Sequence, residues 1–488
     1  MNANPGSKSS KQFKFLNDLD LDQDVINRLS VHLRNVLKGN STSIVTPLVK
    51  DVIPETVLHE WDDIFNANRH KINDTLYTLE MSNRAKFGPR SIAKPWTSRV
   101  SDVKSYFSPK QCRFKAPRFK MNKGSLRPIR VSKAVNILKT STSSGLPHNV
   151  KKGKVKDLMV EQFYDLLSRQ DPCILYTRTQ EGDKTRTVWG FPIADTLNET
   201  MYYRPLLDYQ KELFWRAALL GPEFVDKAVS KIIKQAFDHK LVLVSADFSA
   251  FDASVSKKLI NTSFNYIKSL FQTEFHVSLE YIKSRFLNIG IVTPFGVYTG
   301  EHGVPSGSTF TNEVDSLVQY FVALSSGVVS TALMQIQGDD GLYAIKESDY
   351  DRLRLAFTDA GLKFNESKSY ASYDYCIYLQ NLYHKDYSDS NGFIGGIYPI
   401  YRALNRLAFQ ERWSDFEKFG LIGMDYYSLR SFSILENCKY HPLFKEFVHF
   451  IKSKDKYSLS FSKASVHKYS ELINNGPGTG GILNHHYG

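Results

Sequence analysis

Cysteine is scarce in this chain: four in 488 residues, at Cys112, Cys173, Cys376 and Cys438. No CxxC pair occurs, so neither a zinc site nor a disulfide framework is spelled out, and a reducing, intracellular setting fits. A Gly-rich loop ending in Lys-Ser/Thr is also missing, which excludes a P-loop ATPase or helicase module. There is no internal repeat. The first residues, MNANPGSKSSKQ, have no apolar core; they read as a flexible tail and not as a signal peptide. The one apolar run of membrane length, Val314–Ile336, contains Asp315 and Gln319 and is interrupted by Ser325-Ser326-Gly327. It is expected to be a buried helix, a break and a strand, not a membrane span. Acid is absent from one long stretch: Val103 to Lys156 holds 15 Lys/Arg and no Asp/Glu.

What is present points to a large globular protein. Hydrophobic residues make up 42% of the chain, and the length allows roughly two to four folding units. The net charge is +13, from 63 basic and 50 acidic residues, an excess that favours polyanionic partners. Within the acid-free stretch, KQCRFKAPRFKMNKGSLRPIR interleaves cations such as Lys115, Arg118 and Lys120 with aromatics. That mixture suits phosphate neutralisation and base stacking; a solvated basic loop is the plainer alternative.

The coarse element reading follows periodicity and turn chemistry. Residues up to about 100 look mixed and mostly helical. Thr140–Pro147, TSTSSGLP, is a loop, and Leu175 to Pro192 reads as two β-rich arms around a Glu181-Gly182-Asp183 turn. Leu241 to Val244 is an apolar strand, followed by an amphipathic helix over Ser256 to Phe271. EHGVPSGSTFTNEVDSLVQYFVAL is a Gly-rich loop running into a helix, with Thr and Asn near its start where loose backbone donors need partners. Leu333–Ile345, LMQIQGDDGLYAI, reads as a hairpin in which Gly338 and Gly341 bracket Asp339 and Asp340. A helix with Ser348 as N-cap and Gly361 past its end comes next, then a strand pair over Tyr375 to His384. From about Gly395 the chain is helical and aromatic-rich, and it ends in a Gly-rich tail.

The chemistry lies in the acids. A Gly-Asp-Asp turn alone is weak, because a solvated turn has the same letters. A second acid source is Asp247, at the end of the apolar strand, with Asp252 five residues later. If that strand lies beside the hairpin, Asp247, Asp339 and Asp340 converge and repel unless cations sit among them. Two Mg²⁺ ions about 3.5–4 Å apart would relieve the repulsion and serve in-line phosphoryl transfer; oxygen ligands suit Mn²⁺ as well. Arg178, Lys184 and Arg186, in the arm RTQEGDKTR, offer forks and a point charge for phosphate oxygens. A leaving pyrophosphate is helped by a general acid, for which Lys368 is a candidate and Lys363 a weaker one.

The order of these pieces resembles the motif series of viral RNA-dependent RNA polymerases. TSSGLP resembles the loop near the template entrance, with Ser143, Ser144 and Gly145, and KTRTVWG the basic arm over the incoming nucleotide. DFSAFD resembles the first metal motif, GVPSGSTFTNEVDS the loop and helix that sense the sugar, and QGDDG the second metal motif; GLKFNESKS and YLQNLY resemble the two that follow. Together they run from about Thr140 to Tyr383, half the chain, in the family's order. The wording of GVPSGSTFTNEVDS, QGDDG and GGIYPIYRALNRL is most similar to the picobirnavirus and partitivirus polymerases of double-stranded RNA viruses, with picobirnavirus favoured.

The resemblance implies roles. Asp247 and Asp339 would be the main metal ligands, with Asp340 supporting. Asp252 would recognise the ribose 2′-OH. Its usual Asn partner is replaced: the familiar position holds Asp315, while Asn312 lies one helical turn earlier, and either could pair with it. Ser306 and Gly307 match the mobile loop and Thr311 the following Thr. Arg178, Lys184 and Arg186 match the triphosphate-binding arm, and Lys368 the proton donor.

The implied fold is α+β, a right hand with an antiparallel palm sheet. Residues 1–60 would be an N-terminal extension, 61–235 and 255–295 fingers, 236–254 and 296–394 palm, and 395–488 thumb and tail. The implied reaction is template-directed RNA synthesis from nucleoside triphosphates on single-stranded RNA, with a double-stranded product. It would replicate and transcribe a viral genome, in the virion interior and host cytoplasm, with capsid protein as an expected partner. The tail GPGTGGILNHHYG, with His485, His486 and Tyr487, is a candidate support for primer-independent initiation; simple disorder is the alternative. Two rival classes remain at this level: a reverse transcriptase, which Asp252 argues against, and a non-enzymatic RNA-binding protein with a decayed palm, which the intact aspartates argue against.

Overall fold

A strand buried on both faces must be nearly all apolar, and Val242–Ala246 is such a strand: every residue is buried, and the one polar side chain, Ser245, accepts from Ile377 N at 2.8 Å. Alternate side chains serve two cores, as a pleated strand requires. Val242 and Val244 pack with Phe264, Leu317 and Phe321 on one side, while Leu243 packs with Val229, Ile232 and Tyr378 on the other. The structure, a computed structural model, describes residues 13–116, 124–182, 184–366 and 368–475. Arg118, Lys120, Asp183 and the tail from Gly476 to Gly488 lie outside the described residues.

Val242–Ala246 is an inner strand of a four-stranded antiparallel sheet. On one side it pairs with Asp340–Ile345, which pairs in turn with Met334–Gln337; on the other it meets Tyr370–Ser372. Helices Lys257–Leu270, Thr311–Ser325 and Tyr350–Asp359 cover one face, and Pro222–Asp238 with the hairpin Tyr375–His384 the other. The expected break after the buried helix is present: the helix stops at Ser325 and the strand starts at Met334. Among the described residues no helix is long and apolar enough to cross a membrane.

A second sheet is built on the arm. Cys173–Thr179 and Thr185–Gly190 are antiparallel, and the first of them pairs at its root, Cys173 and Ile174, with Ile291–Thr293. Helix Gln23–Lys38 packs against this sheet through Leu29 and Leu33. A third core joins residues far apart in sequence: Trp61 and Phe65 pack with Tyr401, Phe447 and Phe450 of the C-terminal helices. Ile44–Val45 seals it by pairing with Phe409–Gln410. All four cysteines are free thiols, and only Cys112 is not buried.

Two local expectations need correction. Ser348 is not an N-cap, because Glu347–Asp349 forms a 3₁₀ turn straight after the strand and the helix begins at Tyr350. Gly341 is not a turn residue: it sits in the strand, paired with both Ile336 and Ala246.

Candidate active site

The hairpin tip is a two-residue loop. Gln337 pairs with Asp340, leaving Gly338 and Asp339 between them. Gly338 has φ +62°, the positive value that a type II′ hairpin turn demands at its first central residue. Gly341 serves a different need, since a Cβ there would lie 1.8 Å from Gln319 Oε1. That close approach lets helix Thr311–Ser325 anchor the tip. Gly338 N donates to Ser316 Oγ at 2.8 Å, Gln319 Nε2 donates to Gly338 O at 3.0 Å, and Tyr343 OH donates to Gln319 Oε1 at 2.6 Å.

The sheet register brings the acids together. Ala246 pairs with Gly341, so Asp247, the next residue, comes abreast of Asp340, with Asp339 exposed at the tip. Asn365 Nδ2 donates to Asp247 Oδ2 at 2.9 Å, and Asn365 N donates to the Asp247 carbonyl at 2.9 Å. Burial, then the charges of Asp339 and Asp247, push the Asp340 carboxyl up to about 8. Asp247 is raised mainly by burial; Lys368 opposes that rise, Asp339 adds to it, and Asn365 and Lys184 oppose it. Crowded, buried carboxyls behave this way even with Lys368, Lys184 and Arg186 opposing the rise. Among the described residues no group of three His, Cys, Asp or Glu stands ready-gathered around a metal position. The fit to a divalent cation is one of donor chemistry: three carboxylates, hard oxygen donors, stand at adjoining strand ends.

Asp252 lies in the short turn of helix Phe251–Ser254 after the strand. Of its two candidate partners, Asp315 meets it carboxyl to carboxyl, a bond that requires a proton between them. Burial, with the charge of Asp339 next, raises Asp252 to about 7; burial first, then the charge of Asp252, raises Asp315 well above the usual carboxylate range. Asp315 Oδ1 is buried with no protein partner. Asn312 faces elsewhere, with its Oδ1 3.5 Å from Arg216 Nη2, beside the buried Arg216–Glu313 ion pair.

On the arm, Arg178 pairs across the ladder with Arg186. Lys184 and Arg186 reach the acids electrostatically: Lys184 feels Asp247 and Asp339, and Arg186 lowers both Asp252 and Asp340. Lys184 is itself lowered, by burial first and then by Arg186 and Lys368. Arg178 instead leans towards Glu411, 4.0 Å from its Nε. Lys368 is exposed and counts among the charges at both Asp247 and Lys184; Lys363 does not.

Ser306 Oγ donates to the Thr187 carbonyl at 3.1 Å, tying the loop that contains Gly307 to the arm. Thr311 Oγ1 lies 2.9 Å from the carbonyls of both Pro305 and Ser308. The helix it opens has no side-chain cap at its first residue. A buried acid that sequence reasoning missed, Glu199, accepts from Ser308 Oγ at 2.7 Å and Thr309 N at 2.6 Å, and burial raises it to about 7. Asn365, Ser316 and Gln319 were missed too. Asn365 lies within GLKFNESKS, three residues before Lys368, but nothing local marks it as a partner of Asp247.

The Thr140–Pro147 loop uses most of its own polar groups. Ser144 is buried, and its Oγ accepts from Val150 N at 3.2 Å; Ser143 Oγ accepts from Tyr176 OH at 2.9 Å and from Gly145 N at 3.1 Å. Lys115 is exposed.

Comparison with known proteins gives this geometry a class. The family model for viral RNA-dependent RNA polymerases matches residues 110–392, and the chain belongs to that family. The potential RNA-dependent RNA polymerase of human picobirnavirus (strain Human/Thailand/Hy005102) is 30% identical over 475 residues, 88% of this chain and 85% of its own. The RNA-directed RNA polymerase of Cryptosporidium parvum virus 1 is 28% identical over 216 residues, 40% of each chain. The crystal structure of a human picobirnavirus RNA-dependent RNA polymerase superposes with a TM-score of 0.78 at 27% identity, covering 93% of this chain and 94% of the other. Its insertion-loop deletion mutant gives 0.78 at 28% identity, covering 91% and 93%.

The fold is therefore the α+β right hand, and its central four-stranded sheet is the palm. Within the family the chain stands with the picobirnavirus and partitivirus group, as an RNA-dependent RNA polymerase of a double-stranded RNA virus. RNA and nucleotides are its substrates, and the family generally uses divalent metals. The reverse-transcriptase and non-enzymatic readings give way to this one.

Proposed function

We propose that Asp247, Asp339 and Asp340 form the centre of a two-metal ribonucleotidyl transfer that replicates and transcribes a double-stranded RNA genome. The observation that carries the assignment is the register: Ala246 opposite Gly341 leaves Asp247 abreast of Asp340 beside the Asp339 tip. Two Mg²⁺ or Mn²⁺ ions at these carboxylates would lower the pKa of the RNA 3′-hydroxyl and neutralise the triphosphate.

The chain's own groups supply the rest. The 3′-oxygen attacks the α-phosphorus, the bond to the bridging oxygen breaks, and pyrophosphate departs. Lys184 and Arg186 neutralise the triphosphate, with Arg178 behind them. Lys368 gives a proton to the leaving pyrophosphate. Asp252 and Asp315, whose shared proton is taken up in their own bond, offer their remaining carboxyl oxygens as acceptors to a ribose 2′-OH. In this reading Asn312 acts at one remove, through the hairpin: a Cβ on Gly338 would stand 3.1 Å from its Nδ2. The Ser306–Gly307 loop and Thr311 close on the sugar, and Lys115 and the Ser143–Gly145 loop flank the template. Fingers over 61–235 and 255–295 and a thumb from 395 complete the hand. Primer-independent initiation, a capsid partner and a site of action in the virion interior and host cytoplasm belong to the same proposal.

The test is labelled-nucleotide incorporation on single-stranded RNA, with Mg²⁺ or with EDTA, comparing the intact chain with Asp339→Ala. Synthesis should need the metal and disappear in the variant. Equal synthesis by both proteins would overturn the assignment of Asp339.

A further inference from the structure

Four charges that no step of the reaction uses, Arg90, Glu181, Arg402 and Glu411, gather beside Arg178 where the arm's turn meets the base of the C-terminal helices. Glu181, in the turn, pairs with Arg402 at 3.0 Å and with Arg90 at 3.4 Å. Glu411, just past the strand Phe409–Gln410, pairs with the same Arg90 at 2.6 Å and reaches Arg178 at 4.0 Å. Cation and anion thus alternate along Arg402, Glu181, Arg90, Glu411 and Arg178, from three stretches distant in sequence. Side-chain exposure is 8% at Arg90, 14% at Glu181 and 20% at Arg402. In so dry a place a lone charge is costly, so each partner holds the others in position.

The arm needs holding. Among the described residues only its root, Cys173 and Ile174, pairs with a third strand; beyond that it is a two-stranded hairpin, which is marginal on its own. The stretch around Arg90 supports the two strands elsewhere. Lys94 N donates to Thr185 Oγ1 at 3.1 Å, and Arg99 Nη1 donates to Thr177 Oγ1 at 3.1 Å. The turn between the strands is pinned by the ion pairs, and Lys184 and Arg186 follow directly after it.

We propose that Glu181 and Glu411 are positioning residues for the incoming nucleotide, because their ion pairs with Arg90, Arg402 and Arg178 tie the arm to the first thumb helix and fix Lys184 and Arg186 over the triphosphate. This rests on the reading of the arm as the triphosphate-binding element. Neither glutamate touches the reacting atoms. An arm released from the thumb presents its cations less well to the incoming triphosphate, so the nucleotide binds more weakly.

Single-nucleotide incorporation by the full chain on saturating RNA, across nucleotide concentrations, tests the latch. Glu181→Gln and Glu411→Gln should each raise KM for the nucleotide about tenfold while kcat stays within about twofold. Glu181→Asp, which keeps the charge, should recover part of the loss. Arg402→Ala should raise KM in the same way, and the double variant Glu181→Gln/Arg402→Ala should be no worse than the weaker single, as expected of two ends of one bond. Arg186→Ala serves as the control for the arm. If Arg186→Ala raises KM and both Gln variants leave it unchanged, the latch is wrong. If KM falls in either Gln variant, the glutamates are competing with the triphosphate for the arginines, and the proposal is overturned. If Arg186→Ala leaves KM unchanged as well, the arm's nucleotide role fails, and the latch with it.

Discussion

The hairpin tip and the arm's turn face one site, yet they are held by opposite means. The tip is fixed by uncharged donors and acceptors: Ser316 and Gln319 to Gly338, Tyr343 to Gln319, and Asn365 to Asp247. The arm's turn is fixed by ion pairs among Arg90, Glu181, Arg402 and Glu411. Under the proposed mechanism the difference follows from what each part would carry, metal-binding carboxylates on the one and triphosphate-binding cations on the other. Carboxylates that are to bind cations must be positioned by groups that do not neutralise them, and amides and hydroxyls do this. Cations that are to meet a triphosphate can be steered by carboxylates at a distance, provided those carboxylates hold other arginines. One consequence is that the tip should be indifferent to ionic strength, whereas the arm's ion pairs, largely buried, should weaken modestly in salt.

The harshest break on the uncharged side is Gly341→Ala. Its Cβ would stand 1.8 Å from Gln319 Oε1, so Gln319 must leave both Gly338 and Tyr343. Overpacking and two lost bonds together amount to about 3 kcal/mol. Hydrogen exchange at the hairpin amides should speed up, and synthesis should fall steeply by the same factor at low and at high salt. A loss that grows with salt would mean that the tip also depends on charge.

Next in size is Asn365→Ala, which takes the amide from Asp247 but leaves the carboxylate in place. Partners that orient a metal ligand are worth about 10–100-fold in metal affinity. The Mg²⁺ concentration for half-maximal synthesis should rise by that much, with little change in nucleotide KM. The latch variants should do the reverse, raising nucleotide KM and leaving the metal requirement alone. A shared response would dissolve the distinction between the two supports.

This contrast also marks what the sequence made legible. The Asp247 strand, the Gly-Asp-Asp hairpin and the arm are local patterns, so runs of Val and Leu, a turn glycine and alternating charges announced them. The seven motifs in order carried the family. What could not be read were pairings between distant stretches. Asn365 reaches Asp247 across 118 residues, and Arg90 meets Glu411 across 321. Glu199 looked like any helical acid until folding placed it under Ser308 and Thr309. The choice between Asn312 and Asp315 was open because both lie near one end of one helix. It closed because Asp315 turns towards Asp252 while Asn312 points to Arg216. Gly341 was misread for a related reason: its lack of a side chain answers to Gln319 on another element, not to its own φ.

The smallest expected effect is at Ser316. Its hydroxyl accepts from Gly338 N at 2.8 Å and itself donates to the Asn312 carbonyl at 2.7 Å. Ser316→Ala leaves the Gly338 amide without its acceptor but adds no volume, and Gln319 still holds the same residue through its carbonyl. The cost should be about 1 kcal/mol, a loss of no more than about tenfold in synthesis, with metal requirement and nucleotide KM nearly unchanged. Adding Gln319→Leu should then cost more than the sum of the two single changes, because the second support of the turn disappears with the first. Simple additivity would show that Ser316 and Gln319 hold the tip independently of each other.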